Sequence, residues 1–274
     1  MTAISVSKPV RVLAMYGIFE PSDAHIARMR SLGGEIMVAK SEADALAAAP
    51  SADVIFGHRY LRQTVPHAPQ LRWVQTTAGG VDRLPCEALH ARGIVLTRTT
   101  HTAPVIARHA HTLAWTLQRQ LPEAFTRQRL ARWDPAFDWL PAPRRAGVFG
   151  TGNIGRAIGA LLQRDSIATI GIKRTVTGES LPEFTELHPF TAARDLLPTL
   201  DWCFLALPHT PETNGWFCEE TLRLLPSHAL LVNVGRGQAV DSAALARVLQ
   251  SGYLGGAALD VVDTEPRPSP ELWA

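Results

Sequence analysis

Residues Ala146 to Ile158, AGVFGTGNIGRAI, put Gly150, Gly152 and Gly155 in a G-x-G-x-x-G turn between a short apolar run and an apolar-striped segment. Each glycine answers a separate demand. Gly150 makes the tight turn out of a strand, Gly152 lets the backbone approach a ligand, and Gly155 permits close packing of helix on sheet. The run Ala146 to Phe149 predicts a buried strand, and Ile154, Ile158, Leu161 and Leu162 predict a helix with one apolar face. The start of such a helix offers unpaired N–H groups and the positive end of its dipole to an anion. The turn therefore reads as the seat of a dinucleotide pyrophosphate, with a purely structural glycine turn as the alternative.

The rest of the chain repeats the alternation of strand and helix. Val10 to Gly17 reads as a strand, Ser22 as the cap of a helix through Leu32, and further strands fall at Gly34 to Val38, Asp53 to Phe56, Leu71 to Gln75 and Ile94 to Thr97. Helices are expected at Ser41 to Ala48 and Cys86 to Ala91. The alternation predicts parallel sheets covered by helices. Thr76 to Asp82, TTAGGVD, interrupts it after a strand end, where open α/β sheets bind ligands; a plain glycine turn is the other reading. Thr102 to Leu121 carries Ile106, Ala110, Leu113 and Leu117 at helical spacing and is expected to link two domains, followed by a connecting loop from Trp133 to Arg145. Beyond the glycine turn, strands are expected at Ala168 to Ile172 and within Trp202 to Thr213, Ala229 to Asp241 and Gly255 to Pro266. Asp241 should cap a helix through Leu249 that Gly252 stops. The polar turns after the last three strands should converge beside the fingerprint.

With 274 residues, 46% hydrophobic and 19% charged, the chain can fill two domain cores. The formal net charge of +2 comes without long basic runs, and Arg127 to Arg132 reads as a solvated face, so neither nucleic acid nor a membrane surface is implied as a partner. Cys86, Cys203 and Cys218 are odd in number and lack metal-type spacing, and the N-terminus lacks a long apolar region. A cytoplasmic protein with unpaired thiols is expected. His101, His109 and His111 have no carboxylate or Cys partner at ligand spacing, so no metal site is expected.

Lys173 and Arg174 close the second strand of the nucleotide unit. About 20 positions after the fingerprint an acidic residue binds a ribose 2′-hydroxyl, whereas basic residues there accommodate a 2′-phosphate. That phosphate carries roughly −1.5 to −2 charges near neutral pH if it titrates like other monoesters. The basic pair favours NADP over NAD.

Five motifs in order, AGGVD (Ala78 to Asp82), GTGNIG (Gly150 to Gly155), LPHTPET (Leu207 to Thr213), NVGRG (Asn233 to Gly237) and ALDVVDTEP (Ala258 to Pro266), give a resemblance over nearly the whole chain. The chain resembles the D-isomer-specific 2-hydroxyacid dehydrogenases, and the basic pair is most similar to that of NADP-preferring glyoxylate/hydroxypyruvate reductases. The resemblance implies two flavodoxin/Rossmann-like α/β domains with parallel sheets and a cofactor cleft between them. Residues 1–101 would form the substrate domain and 102–274 the NAD(P)-binding domain, and a homodimer is implied. It further implies that Arg236 holds a small 2-keto acid and that Glu265 orients a catalytic histidine. Backbone N–H groups of Gly79 and Gly80 would grip the substrate carboxylate. Asn153 and Ile154 would touch the pyrophosphate, Leu207 and Pro208 the adenosine side, and Val234, Gly235 and Asp260 the nicotinamide end.

Two departures accompany the resemblance. In the family the catalytic histidine follows the Glu-Pro motif beyond a Leu-Trp pair, and this sequence stops at Leu272, Trp273 and Ala274. The expectation is a C-terminally truncated chain of doubtful activity, with His209 not a substitute acid. Arg108 stands where relatives usually carry Glu in the linking helix. An NAD-linked phosphoglycerate or other D-hydroxyacid dehydrogenase and a catalytically silent dinucleotide-binding relative remain as alternatives.

Overall fold

A computed structural model describes residues 9–15 and 22–273, so the expected strand end at Tyr16 and Gly17 lies outside the described residues. The chain divides into two compact units, Met1–His101 and Thr102–Ala274.

In the first unit the elements run β1 (Arg11–Met15), α1 (Asp23–Ser31), β2 (Glu35–Val38), α2 (Glu42–Ala48), β3 (Val54–Gly57), α3 (Leu61–Thr64), β4 (Trp73–Gln75), α4 (Cys86–Ala91) and β5 (Val95–Thr97). All strand pairs are parallel, in the order β2-β1-β3-β4-β5, which is the flavodoxin-like order. Two helix starts follow from side-chain chemistry. The Ser22 hydroxyl accepts from the His25 N–H, and Ser41 forms a capping box with Asp44. The core gathers Leu13, Met15, Ile55, Leu61, Val74 and Leu89, each at most 1% exposed.

The second unit opens with α5 (Ala103–Gln118) and α6 (Leu121–Arg129), then β6 (Arg145–Phe149), α7 (Asn153–Arg164), β7 (Ala168–Lys173) and β8 (Glu186–Pro189). It continues with α8 (Ala193–Leu196), β9 (Trp202–Leu205), α9 (Glu219–Leu222), β10 (Leu230–Asn233), α10 (Ser242–Gln250) and β11 (Gly256–Leu259). The sheet order β11-β10-β9-β6-β7-β8, parallel throughout, is the doubly wound Rossmann order with its switch point between β6 and β9. β9 and β10 are buried along their whole length, as strands covered on both faces must be. Fully buried Ile158 and Leu162 anchor α7 on one face of the sheet, each contributing roughly 1.5–3 kcal/mol. At the opposite end of the strands Asp201 ties β6 to β9, its carboxylate accepting from the Arg144 and Arg145 N–H groups at 2.8 and 2.9 Å. Burial works against ionisation of Asp201, but the bond to His228 and these two N–H donors outweigh it and lower its pKa.

The long helix departs from expectation in two ways. It ends at Gln118, and a second helix begins at Leu121, because Gln120 is left-handed (φ 50°) and Pro122 fits a first turn. Its buried face is Ala103, Ala107, Ala110, Ala114 and Gln118, with Ile106, Leu113 and Leu117 only flanking it; side chains this small let it lie close on α7 and β10. The loop after α6 is tied down rather than free. Gln118 donates to the Leu140 and Pro141 carbonyls at 3.2 and 3.0 Å. Arg127 is also not a solvated charge. It bonds Glu123 and the Asp134 and Ala136 carbonyls, and stacks 4.2 Å over the Phe137 ring. Among the described residues no helix is long and apolar enough to cross a membrane.

Candidate active site

The register of the second sheet aligns one row of residues, Ile172, Phe149, Leu205, Asn233 and Leu259, on β7, β6, β9, β10 and β11. The chain leaves this row at one edge. The N–H groups of Gly150, Ala206, Val234 and Asp260 each donate across it, to Ile172, Phe149, Leu205 and Asn233 respectively, at 2.7–3.0 Å. Lys173, the glycine turn, Leu207, the Asn233–Gly237 turn and Asp260 therefore all lie at or just beyond the C-terminal ends of adjacent strands.

Within the glycine turn the three positions separate physically. Gly150 has φ +98°, and a Cβ there would meet the Ala206 carbonyl oxygen at 2.6 Å. A Cβ on Gly155 would lie 1.8 Å from the Gly150 carbonyl oxygen, so the first turn of α7 sits directly on the loop. Gly152 has nothing within 4 Å of its Cβ position. It caps α7 with no side-chain hydrogen bond, leaving the helix N–H groups for another acceptor. This open backbone ahead of a helix start, with Asn153 exposed beside it, fits a dinucleotide pyrophosphate.

Other expected residues divide between backbone and side chain. Leu207 is 6% and Val234 5% exposed, and their side chains belong to the cores. Pro208 is exposed, so of the Leu207–Pro208 pair only the proline presents its ring at the surface. Gly235 is obligatory, since a Cβ would meet the Leu207 N and O at 2.7 and 2.8 Å.

Arg236 stands on a turn that Asn233, fully buried, holds from within. Asn233 Nδ2 donates to the Arg236 carbonyl at 3.0 Å and Oδ1 accepts from the Gly235 N–H at 3.0 Å. The Arg236 Nη1 donates to the Gly235 carbonyl at 2.9 Å, which draws the half-buried guanidinium back over its own turn. Gly237 brings this turn against the segment that carries Glu265: its Cβ would fall 1.8 Å from the Val262 carbonyl carbon, and Gln238 Nε2 donates to the Asp263 carbonyl at 3.0 Å. Glu265 is exposed, precedes a cis proline, and accepts from the Val262 N–H at 3.4 Å. Asp260 lies 3.4 Å from His109 of α5.

The basic pair is not bare. Lys173 bonds the Glu179 carboxylate, and Arg174 is exposed near Glu212. Hydrogen bonds from Lys173 and Thr177 pull Glu179 down to about 2. The carboxyl of Glu212 is lowered first by the Thr210 hydroxyl and also by the Arg174 charge.

In the first unit the Thr76–Gly80 loop follows β4. Gly79 is exposed and its carbonyl accepts from Arg98 at 3.1 Å. Thr76 is fully buried, its hydroxyl accepting from the Ala78 N–H at 3.0 Å. His58, just beyond β3, places Nδ1 3.1 and 3.2 Å from the hydroxyls of Thr76 and Thr77, and burial lowers its pKa. His58 carries no mark in the sequence, because it reaches Thr76 and Thr77 only once β3 pairs with β4. Glu179 and the buried Asn233 were likewise missed as individual contributors. The Cys203 thiol is buried and pushed up by desolvation, a core residue. Among the described residues no group of three or more His, Cys, Asp or Glu could hold a metal ion.

Comparisons with known proteins follow the same lines. The family described as "D-isomer specific 2-hydroxyacid dehydrogenase, NAD binding domain" matches residues 111–274. A glyoxylate reductase of Thermococcus kodakarensis is 34% identical over 220 residues, covering 76% of this chain and 65% of its own length. A glyoxylate/hydroxypyruvate reductase B of Yersinia pestis is 31% identical over 219 residues, 73% of this chain and 63% of its own. The chain thus spans somewhat less than two thirds of the length of these relatives. Among solved structures, a D-isomer specific 2-hydroxyacid dehydrogenase family protein from Aeromonas salmonicida aligns with TM-score 0.80 at 28% identity, covering 96% of this chain and 86% of that one. The NADPH-dependent glyoxylate/hydroxypyruvate reductase from Sinorhizobium meliloti, in complex with NADP and malonate, aligns with TM-score 0.80 at 28% identity, covering 97% and 84%. Together with the doubly wound sheet and its glycine turn, these matches mean that the chain belongs to the D-isomer-specific 2-hydroxyacid dehydrogenase family.

Proposed function

We propose that this chain carries the cofactor-binding and substrate-binding machinery of a reductase that converts a small 2-keto acid of the glyoxylate/hydroxypyruvate type to the D-2-hydroxy acid, using NADPH in preference to NADH, with the proton supplied by the family's histidine. The observation that carries the reading is the single sheet edge on which the glycine turn, the basic pair, the Arg236 turn and Asp260 follow one row of paired residues. The names of the Thermococcus and Yersinia relatives support the substrate class, and the NADP held by the Sinorhizobium reductase supports the cofactor.

The residues divide the work. Gly150, Gly152, Asn153, Ile154 and Gly155 receive the pyrophosphate, Lys173 and Arg174 the 2′-phosphate, Pro208 and the Leu207 backbone the adenosine side, and Val234, Gly235 and Asp260 the nicotinamide end. When bound, the cofactor supplies the hydride. Arg236 offers a planar fork of donors to the keto acid's carboxylate and carbonyl oxygens, and its charge offsets the charge that develops on the carbonyl oxygen. N–H groups of Gly79 and Gly80 grip the substrate carboxylate. Glu265 is assigned the orienting of the family's acid, a histidine; no histidine of this chain, His209 included, is given that role.

The test is NADPH oxidation with glyoxylate and hydroxypyruvate by this chain and by a chimera carrying the C-terminal segment of the Thermococcus relative, with NADPH binding measured on both. Turnover that Arg236→Gln abolishes supports the reading. Binding without turnover in both proteins overturns it in favour of a silent dinucleotide-binding relative. We also infer a cytoplasmic homodimer built on the second unit. Support for the homodimer is the exposure of four large apolar side chains on α6 and the loop after it, Phe125, Leu130, Trp133 and Trp139, at 56%, 70%, 94% and 55%.

A further inference from the structure

The end of β7 carries two cations, and each has a carboxylate of the same chain beside it. Lys173, the last residue of the strand, bonds Glu179 Oε1. The other oxygen, Oε2, accepts from the Thr177 N–H at 2.8 Å and the Thr177 hydroxyl at 2.7 Å. Both oxygens are therefore engaged, and the carboxylate is held in position rather than swinging in solvent. Gly178, with φ +89°, supplies the left-handed step that folds Glu179 back toward β7. The Lys173 and Glu179 side chains are 30% and 29% exposed. Arg174 next to them shares its field with Glu212.

A partly exposed ion pair between a strand end and the loop after it contributes little to folding, so stability alone gives weak reason for this arrangement. Its place gives a stronger one. The end of the second strand is where a Rossmann fold meets the adenosine ribose, and the presence or absence of a 2′-phosphate is sensed there. We infer that Glu179 is an internal counter-ion that competes with the cofactor's 2′-phosphate for Lys173, and so sets how strongly the chain prefers NADPH over NADH. The inference rests on the proposed cofactor reading and deepens it. A 2′-phosphate must take Lys173 from a carboxylate already bonded to it, and must approach that carboxylate's negative charge. A 2′-hydroxyl meets neither obstacle. The cluster of Lys173, Arg174, Glu179 and Glu212 is formally neutral, so preference for NADPH is held below what two uncompensated cations would give.

The test is calorimetric titration of NADPH, NADH and 2′,5′-ADP into the wild-type chain and into Glu179→Gln, Glu179→Asp, Lys173→Ala, Arg174→Ala and the Lys173→Ala/Glu179→Gln double variant. Glu179→Gln should tighten NADPH and 2′,5′-ADP about tenfold and leave NADH nearly unchanged, as removal of one contacting like charge requires. Glu179→Asp, whose shorter arm draws the charge back from Lys173, should fall between. In the Lys173→Ala background the gain should vanish, because the two residues act as a pair. If Lys173→Ala and Arg174→Ala lower the NADPH-to-NADH affinity ratio while Glu179→Gln leaves it unchanged, the cofactor reading stands and Glu179 is only a loop staple. If none of the three moves the ratio, the cofactor assignment itself fails and the inference falls with it.

Discussion

Two glycine-bearing loops, Gly150–Gly155 in the second unit and Thr76–Gly80 in the first, each follow a strand end in a parallel sheet, yet their glycines are there for different reasons. In the first-named turn Gly150 and Gly155 are compelled: any Cβ would penetrate a carbonyl oxygen, at 2.6 and 1.8 Å. In the Thr76–Gly80 loop a Cβ on Gly79 would rest 3.6 Å from the Thr99 carbonyl oxygen, an ordinary contact, with no left-handed φ. Gly152 belongs with Gly79 in this respect, since its Cβ position is open. Packing requires glycine at Gly150 and Gly155, whereas nothing in the packing requires it at Gly79 or Gly152. The comparison turns a motif into separate tests, position by position.

The largest effect is expected at Gly155. Gly155→Val forces α7 away from the turn and should cost about 3 kcal/mol, read as a lower midpoint in thermal unfolding together with lost dinucleotide binding. Gly79→Ala should reverse the pattern, leaving stability within about 0.5 kcal/mol while raising KM for the keto acid about tenfold in whichever protein turns over. A Gly79→Ala variant that unfolds would erase the distinction between the two loops.

A smaller effect separates them by pH. The Thr76–Gly80 loop is braced by His58, whose pKa burial lowers, so the folded loop favours the neutral ring. A histidine held neutral contributes stability above its unfolded value, near pH 6.5, and that contribution is lost as pH falls below it. Amide exchange at Thr76–Gly80 should therefore speed up between pH 7.5 and 5.5 beyond the intrinsic dependence, and His58→Asn should flatten the change. The glycine turn, with no histidine bracing it, should show no such dependence.

The same contrast explains what the sequence made legible. Compelled glycines and the caps Ser22 and Asp241 announce themselves because local geometry admits few residue types there, whereas Ser41, expected inside its helix, caps it from outside. The alternating strands and the convergence of three turns beside the fingerprint were equally readable, since apolar runs must be buried on both faces of a parallel sheet. The break at Gln120 was not, because a left-handed non-glycine residue leaves no mark in composition and Leu121 continues the apolar stripe. The helical face was legible in part: Ala110 reaches the core and Ile106, Leu113 and Leu117 pack against it, while Ala103, Ala107 and Ala114 are too small to mark a stripe. His58 and Glu179 act through partners across a sheet or a turn, and such pairings have no periodicity to read. Arg236 could be named from its motif, whereas the buried Asn233 that holds its turn became visible only with the fold.

The account's central claim is that the open backbone at Gly152 is where a dinucleotide is received. The most direct test is NADPH titration of Gly152→Asp beside the wild-type chain, with thermal unfolding measured on the same samples. Gly152 has an ordinary φ of −76° and free space around its Cβ, so the variant should melt with the wild type, while a carboxylate facing the pyrophosphate should weaken binding at least about a hundredfold. An aspartate variant that folds and still binds NADPH as tightly as the wild type would contradict the claim.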